Sequence, residues 1–213
     1  MFDTILFDLD GTLLDTSEGI TGGVEYATKS LGLKKLDMAT KRLFISPPLR
    51  GAFQKYCAID EKMAEEAIRE YRVYYSGGGM FKCTPYDGII NLLAALKSAG
   101  KKLYVATAKP TEFSVKILEK WDMLKYFEEV IGASMDKSLD SKEKIIKFLL
   151  KKTGAKDALM IGDTHYDIEG AHQNGVKAVA VFYGFGDREK LKLSCPEYSA
   201  ETVEQLSELL LNC

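Results

Sequence analysis

Asp8 and Asp10 stand two residues apart, directly after the apolar run Thr4-Ile5-Leu6-Phe7 and directly before Gly11-Thr12. Residues two apart in an extended chain point the same way, so both carboxylates could converge on one ligand while Gly11 lets the backbone swing aside. Two acids facing one ligand suggest a metal ion. An Asp-Gly pair between apolar runs is also a hairpin signal. Here, however, Asp15-Thr16-Ser17-Glu18-Gly19-Ile20 follows, which is polar and capping-like before a helical pattern instead of a second strand. Three further stretches carry reactive groups: Thr107-Ala108-Lys109, Asp140-Ser141-Lys142-Glu143, and Gly162-Asp163-Thr164-His165-Tyr166-Asp167. The set supplies carboxylates, a hydroxyl and a lysine. Hard oxygen ligands without a histidine or cysteine cluster suit Mg2+ and serve zinc poorly. A metal, a hydroxyl and a lysine would neutralise a small polyanion from several sides, which is what phosphoryl transfer mainly requires. Asp8 could attack phosphorus, and Asp10 could protonate the departing alcohol and then activate water.

The elements that must position these groups follow from periodicity. After Pro85 the chain alternates: helix 88–98, strand 102–106, helix 111–121, strand 129–131, helix 141–151, strand 158–161, helix 168–174 and strand 178–181. Short continuous apolar strands between helices predict an α/β fold, a parallel sheet covered on both faces, with ligands beyond the carboxyl ends of the strands. The N-terminal strand belongs to the same sheet, and each reactive stretch follows a predicted strand or starts a helix. From about Ser17 to Lys82 the spacing is helical, with Val24, Ala27, Leu31 and then Met63, Ala67, Ile68 and Tyr71. Pro47-Pro48 interrupts that region and Gly77-Gly78-Gly79 ends it, the glycines reading as a linker because no Gly-Lys-Ser/Thr follows. The expected organisation is a catalytic core of residues 1–14 and 83–213 with an inserted helical cap of residues 15–82. The tail from Glu201 to Leu211 has helical spacing and should cover the sheet.

Composition bounds the setting. A chain of 213 residues with 46% hydrophobic content can bury a full core. Its 29 basic and 31 acidic residues, net charge −2, give no electrostatic reason to expect a nucleic-acid polymer or a membrane surface as partner. Cys57, Cys83, Cys195 and Cys213 show no paired spacing, and no signal peptide opens the chain, so a cytoplasmic protein with reduced thiols is expected. No apolar run reaches the roughly 20 residues of a membrane helix.

With these motifs in this order, the chain resembles the haloacid dehalogenase superfamily of phosphatases over nearly its whole length. Asp8-Leu9-Asp10-Gly11-Thr12 is similar to that family's first motif, Thr107 to the hydroxyl of the second, Lys142 to the base of the third, and Asp163 with Asp167 to the acidic fourth. The resemblance implies a Rossmann-like three-layer α/β/α core with a small all-α cap inserted after the first strand. It implies Asp8 as nucleophile and Asp10 as acid/base, with Thr107, Ala108 and Lys142 binding the phosphoryl group. Magnesium would be held by Asp8, the Asp10 carbonyl and Asp163, supported by Asp167. The second aspartate points away from a dehalogenase or transport ATPase, toward hydrolysis of a small phosphomonoester. Ser46-Pro47-Pro48-Leu49-Arg50 and Lys109-Pro110-Thr111-Glu112-Phe113 resemble a phosphoglycolate phosphatase-like or 5'-nucleotidase-like branch. The motif departs at Ala108, where relatives often carry Ser or Asn. Lys137 is the substitute candidate for Lys142. Arg50 could meet a carboxylate or second phosphate of the substrate, and a surface arginine fits equally. His165 receives no role, and Trp121, Tyr71, Tyr74 and Tyr75 read as packing. The expected partner is a small phosphorylated metabolite, the expected state a monomer or homodimer. The alternatives are a sugar-phosphate phosphomutase using the same nucleophile and a regulatory binding protein on a phosphatase core.

Overall fold

The computed structural model describes residues 2–134 and 138–212, so the alternative Lys137 lies outside the described residues. The chain divides into two compact units, one of residues 1–15 and 85–213 and one of residues 16–84.

In the first unit six strands form one sheet: β1 (Thr4–Phe7), β2 (Lys102–Pro110), β3 (Glu129–Ala133), β4 (Ala158–Gly162), β5 (Lys177–Val181) and β6 (Tyr198–Ala200). Their order is β3-β2-β1-β4-β5-β6 and every neighbouring pair is parallel. All four residues of β1 are buried, as a strand flanked on both sides and covered on both faces requires. On one face Leu6, Tyr104, Met160 and Ala178 join Ile145, Ile146, Leu149, Ile168 and Ala171 in a single core cluster. Residues of the opposite parity, Ile5, Phe7, Leu103 and Val105, are buried as well. Each such aliphatic side chain contributes about 1.5–3 kcal/mol of burial, so the sheet is a stiff support for the groups at its edge. The fold is the expected α/β class with a Rossmann-like parallel sheet.

The second unit is helical: α1 (Ser17–Ser30), α2 (Met38–Arg42), α3 (Leu49–Cys57) and α4 (Glu61–Ser76). Asp37 and Asp60 cap α2 and α4, their carboxylates accepting from Thr40 N at 2.7 Å and Met63 N at 2.8 Å. The glycine run differs from the linker expected of it. Gly79 is buried and opens a tight turn through Phe81, and the Lys82 carbonyl accepts from Gly19 N at 3.0 Å, so the segment packs onto the start of α1.

The first unit also holds α5 (Ile89–Ser98), α6 (Thr111–Lys120), α7 (Lys142–Thr153), α8 (His165–His172), α9 (Arg188–Leu193) and α10 (Val203–Asn212). Two details move the expected boundaries. α8 starts at His165, not Ile168, and β2 runs four residues past Ala106, to Pro110, with a register shift against β3. Among the described residues no helix is long and apolar enough to cross a membrane.

The extension of β2 depends on Gly132 of β3. A Cβ there would fall 2.2 Å from the Lys109 carbonyl oxygen and 2.7 Å from Thr111 N. Gly132→Ala must therefore displace backbone, and we expect it to lower unfolding stability by about 1–3 kcal/mol. Urea unfolding followed by circular dichroism measures this; an unchanged midpoint would contradict the close approach.

Candidate active site

Parallel pairing brings three strand ends side by side. Phe7 is in register with Val105 of β2 and Ile161 of β4, and Asp8 N donates to the Ile161 carbonyl at 2.9 Å. Asp8 therefore leaves β1 between Ala106 and Gly162. Lys142 approaches from the first residue of α7, where Ser141 is the N-cap and its hydroxyl accepts from Lys144 N at 3.4 Å. The Lys142 ammonium lies 2.6 Å from Asp8 Oδ1 and 2.7 Å from Asp167 Oδ1, and donates to the Ala106 carbonyl at 2.7 Å. The ammonium thus forms two ion pairs with buried carboxylates and donates one hydrogen bond to the backbone.

Asp167 does two jobs with two oxygens. Its Oδ2 accepts from Thr164 N at 3.0 Å and Thr164 Oγ at 2.7 Å, closing a capping box at the start of α8. Its Oδ1 faces Lys142. Asp167 thus sits inside the first turn of α8, three residues after the N-cap Thr164. Asp163, at the end of β4, is fully buried; Thr12 Oγ donates to its Oδ1 at 3.3 Å and Phe185 N to its Oδ2 at 2.8 Å. Gly11, with φ of +83°, passes so close that a Cβ there would be 2.2 Å from Asp163 Oδ2. The turn at Gly11 thus admits glycine alone for two reasons, its conformation and its neighbour.

Burial and repulsion set the charges. Burial, reinforced by Asp167 and Asp10, pushes the Asp8 carboxyl up to about 6 despite Lys142. Burial, then Asp167 and Asp8, hold Asp163 well above the ordinary carboxylate range. Burial alone would lower the Lys142 ammonium, but the carboxylates of Asp167 and Asp8 outweigh it and hold its pKa up. Asp8, Asp163 and Asp167 each offer an oxygen within 4.8 Å of one another. One ammonium faces three clustered carboxyl groups in a buried space, and the donors are all oxygens. That set fits a hard divalent cation.

The other predicted residues are placed as follows. Asp10 stands outside the acidic triad: its Oδ2 pairs with Lys109 Nζ at 2.8 Å, and its Oδ1 is buried with no hydrogen-bond partner among the described residues. Thr107 is buried within β2, its hydroxyl accepting from Lys109 N at 3.2 Å, while Ala108 is exposed. His165 is half-buried, its ring against Tyr166. Arg50 belongs to the helical unit, where its guanidinium pairs with Glu61 at 2.5 Å and with Glu65.

Sequence reasoning assigned nothing to the side chains of Thr12, Lys109 and Tyr183 or to the backbone N–H of Phe185. Lys109 carried a signal: it shares with Thr107 the buried parity of the strand while Ala108 faces out. Tyr183 carried none. Its hydroxyl donates to the Thr12 carbonyl at 3.0 Å and its ring meets Tyr86 edge-on at 4.9 Å. Burial raises its pKa, so it stays a donor to the turn that follows Asp10.

Residues 5–181 match the family described as haloacid dehalogenase-like hydrolase. A 5'-nucleotidase of Pseudomonas aeruginosa is 38% identical over 211 residues, covering 98% of this chain and 96% of that protein. The tyrosine-protein kinase PtkA of Mycobacterium tuberculosis is 34% identical, covering 97% of this chain and 72% of that protein. A phosphoglycolate phosphatase of Aquifex aeolicus is 32% identical, covering 98% and 96%. Among solved structures, a predicted phosphatase from Clostridium acetobutylicum superposes with a TM-score of 0.93 at 40% identity, covering both chains completely.

A divalent cation must compete with protons at this site. Because burial raises both Asp8, to about 6, and Asp163, apparent Mg2+ affinity should weaken as pH falls, by at least about tenfold per pH unit below 6. The metal-free protein behaves oppositely in stability. A raised carboxyl favours the protonated folded state, so its contribution is complete below the ordinary 3.8 and is lost as pH rises through about 6. Calorimetric Mg2+ titrations at pH 5, 6 and 7 check the first expectation; an affinity independent of pH would contradict it.

Proposed function

We propose, for a chain that belongs to the haloacid dehalogenase-like hydrolase family and is a phosphoric monoester hydrolase, that it releases phosphate from a small phosphorylated metabolite through an aspartyl-phosphate at Asp8. The substrate class is that of a 5'-nucleotidase-like or phosphoglycolate phosphatase-like enzyme, acting in the cytoplasm as a monomer or homodimer. The observation that carries the reading is the tether on Asp8: Lys142 fixes Oδ1 at 2.6 Å, which leaves Oδ2 to act.

Asp8 Oδ2 forms the bond to phosphorus as the bond from phosphorus to the substrate oxygen breaks. Asp10 gives its proton to that departing oxygen, then takes a proton from the water that attacks the aspartyl-phosphate, and Asp8 is regenerated. Asp8, Asp163 and the Asp10 carbonyl would hold Mg2+, with Asp167 behind, and the bound ion supplies charge neutralisation at the phosphoryl oxygens. The Thr107 hydroxyl and the Lys142 ammonium orient the phosphoryl group; Lys142 does so by exchanging one of its three present partners. The helical unit of residues 16–84 serves as the cap that selects the leaving group, and within it Arg50 is paired with Glu61 and Glu65.

Purified protein with Mg2+ should release phosphate from p-nitrophenyl phosphate and from members of a metabolite panel. Asp8→Asn should lower kcat by at least about 10³-fold. No release from any substrate, or undiminished turnover by Asp8→Asn, would refute the proposal. Transfer to an acceptor other than water, as a mutase requires, would register as substrate consumed without equivalent phosphate.

A further inference from the structure

Lys109 performs no step in the reaction above, yet it is among the most deeply buried cations of the chain, its side chain 6% exposed. Burying an ammonium costs several kcal/mol unless it is paired, and a lysine near a strand end can usually carry its head to water. Here the head is turned inward, onto Asp10 Oδ2 at 2.8 Å. Its base is rigid. Lys109 N donates to Thr107 Oγ at 3.2 Å, and its carbonyl lies against Gly132, where no side chain fits. The second oxygen of Asp10 is the contrasting observation: Oδ1 is buried and has no hydrogen-bond partner among the described residues. A buried carboxylate oxygen without a donor is costly, and such atoms call for an explanation in terms of function or of a missing ligand.

We infer that Lys109 is a positioning residue for proton transfer, its ion pair occupying Oδ2 of Asp10 so that Oδ1 alone meets the leaving-group oxygen and then the attacking water. The inference rests on the proposed role of Asp10 as acid/base and adds the device that aims it. Without the tether the Asp10 carboxylate turns about its side-chain bonds, and the oxygen presented to the substrate is no longer fixed. The penalty falls on substrates that need the proton. An alkoxide leaves only when protonated, whereas the p-nitrophenolate ion is a weak enough base to leave without help.

The test compares glycerol phosphate with p-nitrophenyl phosphate in the Mg2+-loaded full chain. Lys109→Gln should lower kcat/KM for the alkyl ester by about 10- to 100-fold and for the aryl ester by less than about threefold. In an Asp10→Asn background the same change should add almost nothing on the alkyl ester, because the lysine acts through that carboxylate. Lys109→Met, which keeps the length and apolar stem, is read by the same ratio if the Gln variant does not fold. Equal losses on both substrates, a full additional loss in the Asp10→Asn background, or failure of both variants to fold would overturn the inference and make Lys109 structural. Absence of phosphate release by the wild type, or full turnover by Asp8→Asn, would instead remove the function itself. Intact Asp8-dependent turnover with an unselective Lys109 variant removes only this inference.

Discussion

A single buried ammonium ties the site together. Lys142 reaches from the start of α7 to Asp8 at the end of β1, Asp167 in the first turn of α8 and the Ala106 carbonyl on β2. Without it, carboxylates held within 4.8 Å of one another would repel with nothing between them. Pairs of this kind add little net stability, because desolvation consumes most of the attraction. What they fix is arrangement: an ammonium held by two carboxylates and a backbone carbonyl engages Asp8 Oδ1 and leaves Oδ2 as the oxygen proposed to react.

The sheet makes this possible at low cost. Parallel register sets Asp8 and Asp163 just beyond neighbouring strands with Thr107 of β2 alongside, so no long loop has to be ordered to collect them. Burial at the end of β1 and β4 then acts on chemistry as well as on stability, raising Asp8 to about 6 and holding Asp163 well above the ordinary carboxylate range. The second aspartate is treated differently. Asp10 lies outside the triad, more exposed, and is held by its own lysine. Two acids two residues apart thus acquire separate partners, Lys142 for one and Lys109 for the other, as the separate duties proposed for them require.

Much of this is legible in the sequence because it is local. Thr4-Ile5-Leu6-Phe7 before Asp8 reads as a buried strand ending in an acid, and the alternation after Pro85 reads as a parallel sheet. Thr107, Lys142, Asp163 and Asp167 are visible because each stands beside an apolar run or at a helix start that the sequence pattern marks. What escapes is set by distance or by brevity. The three-residue β6 and six-residue α9 are too short to show a period. The start of α8 moves because Thr164 caps it and Asp167 answers from inside the turn, a reciprocal pair that Asp167 alone resembles only in part. The grip of Lys109 on Asp10 and of Tyr183 on the Thr12 carbonyl joins residues far apart in the chain, and periodicity carries no information about such contacts. The buried turn at Gly79 looked like a linker because glycines mark flexibility and close packing alike.

The central claim is that Asp8 carries the phosphoryl group. Acid quenching of the Mg2+-loaded enzyme during turnover, borohydride reduction of any acyl phosphate, and peptide mass spectrometry address it most directly. The account predicts homoserine at position 8 and at no other aspartate. Phosphate released in step with substrate while Asp8 remains unmodified at every quench time, or an adduct on another residue, would contradict it.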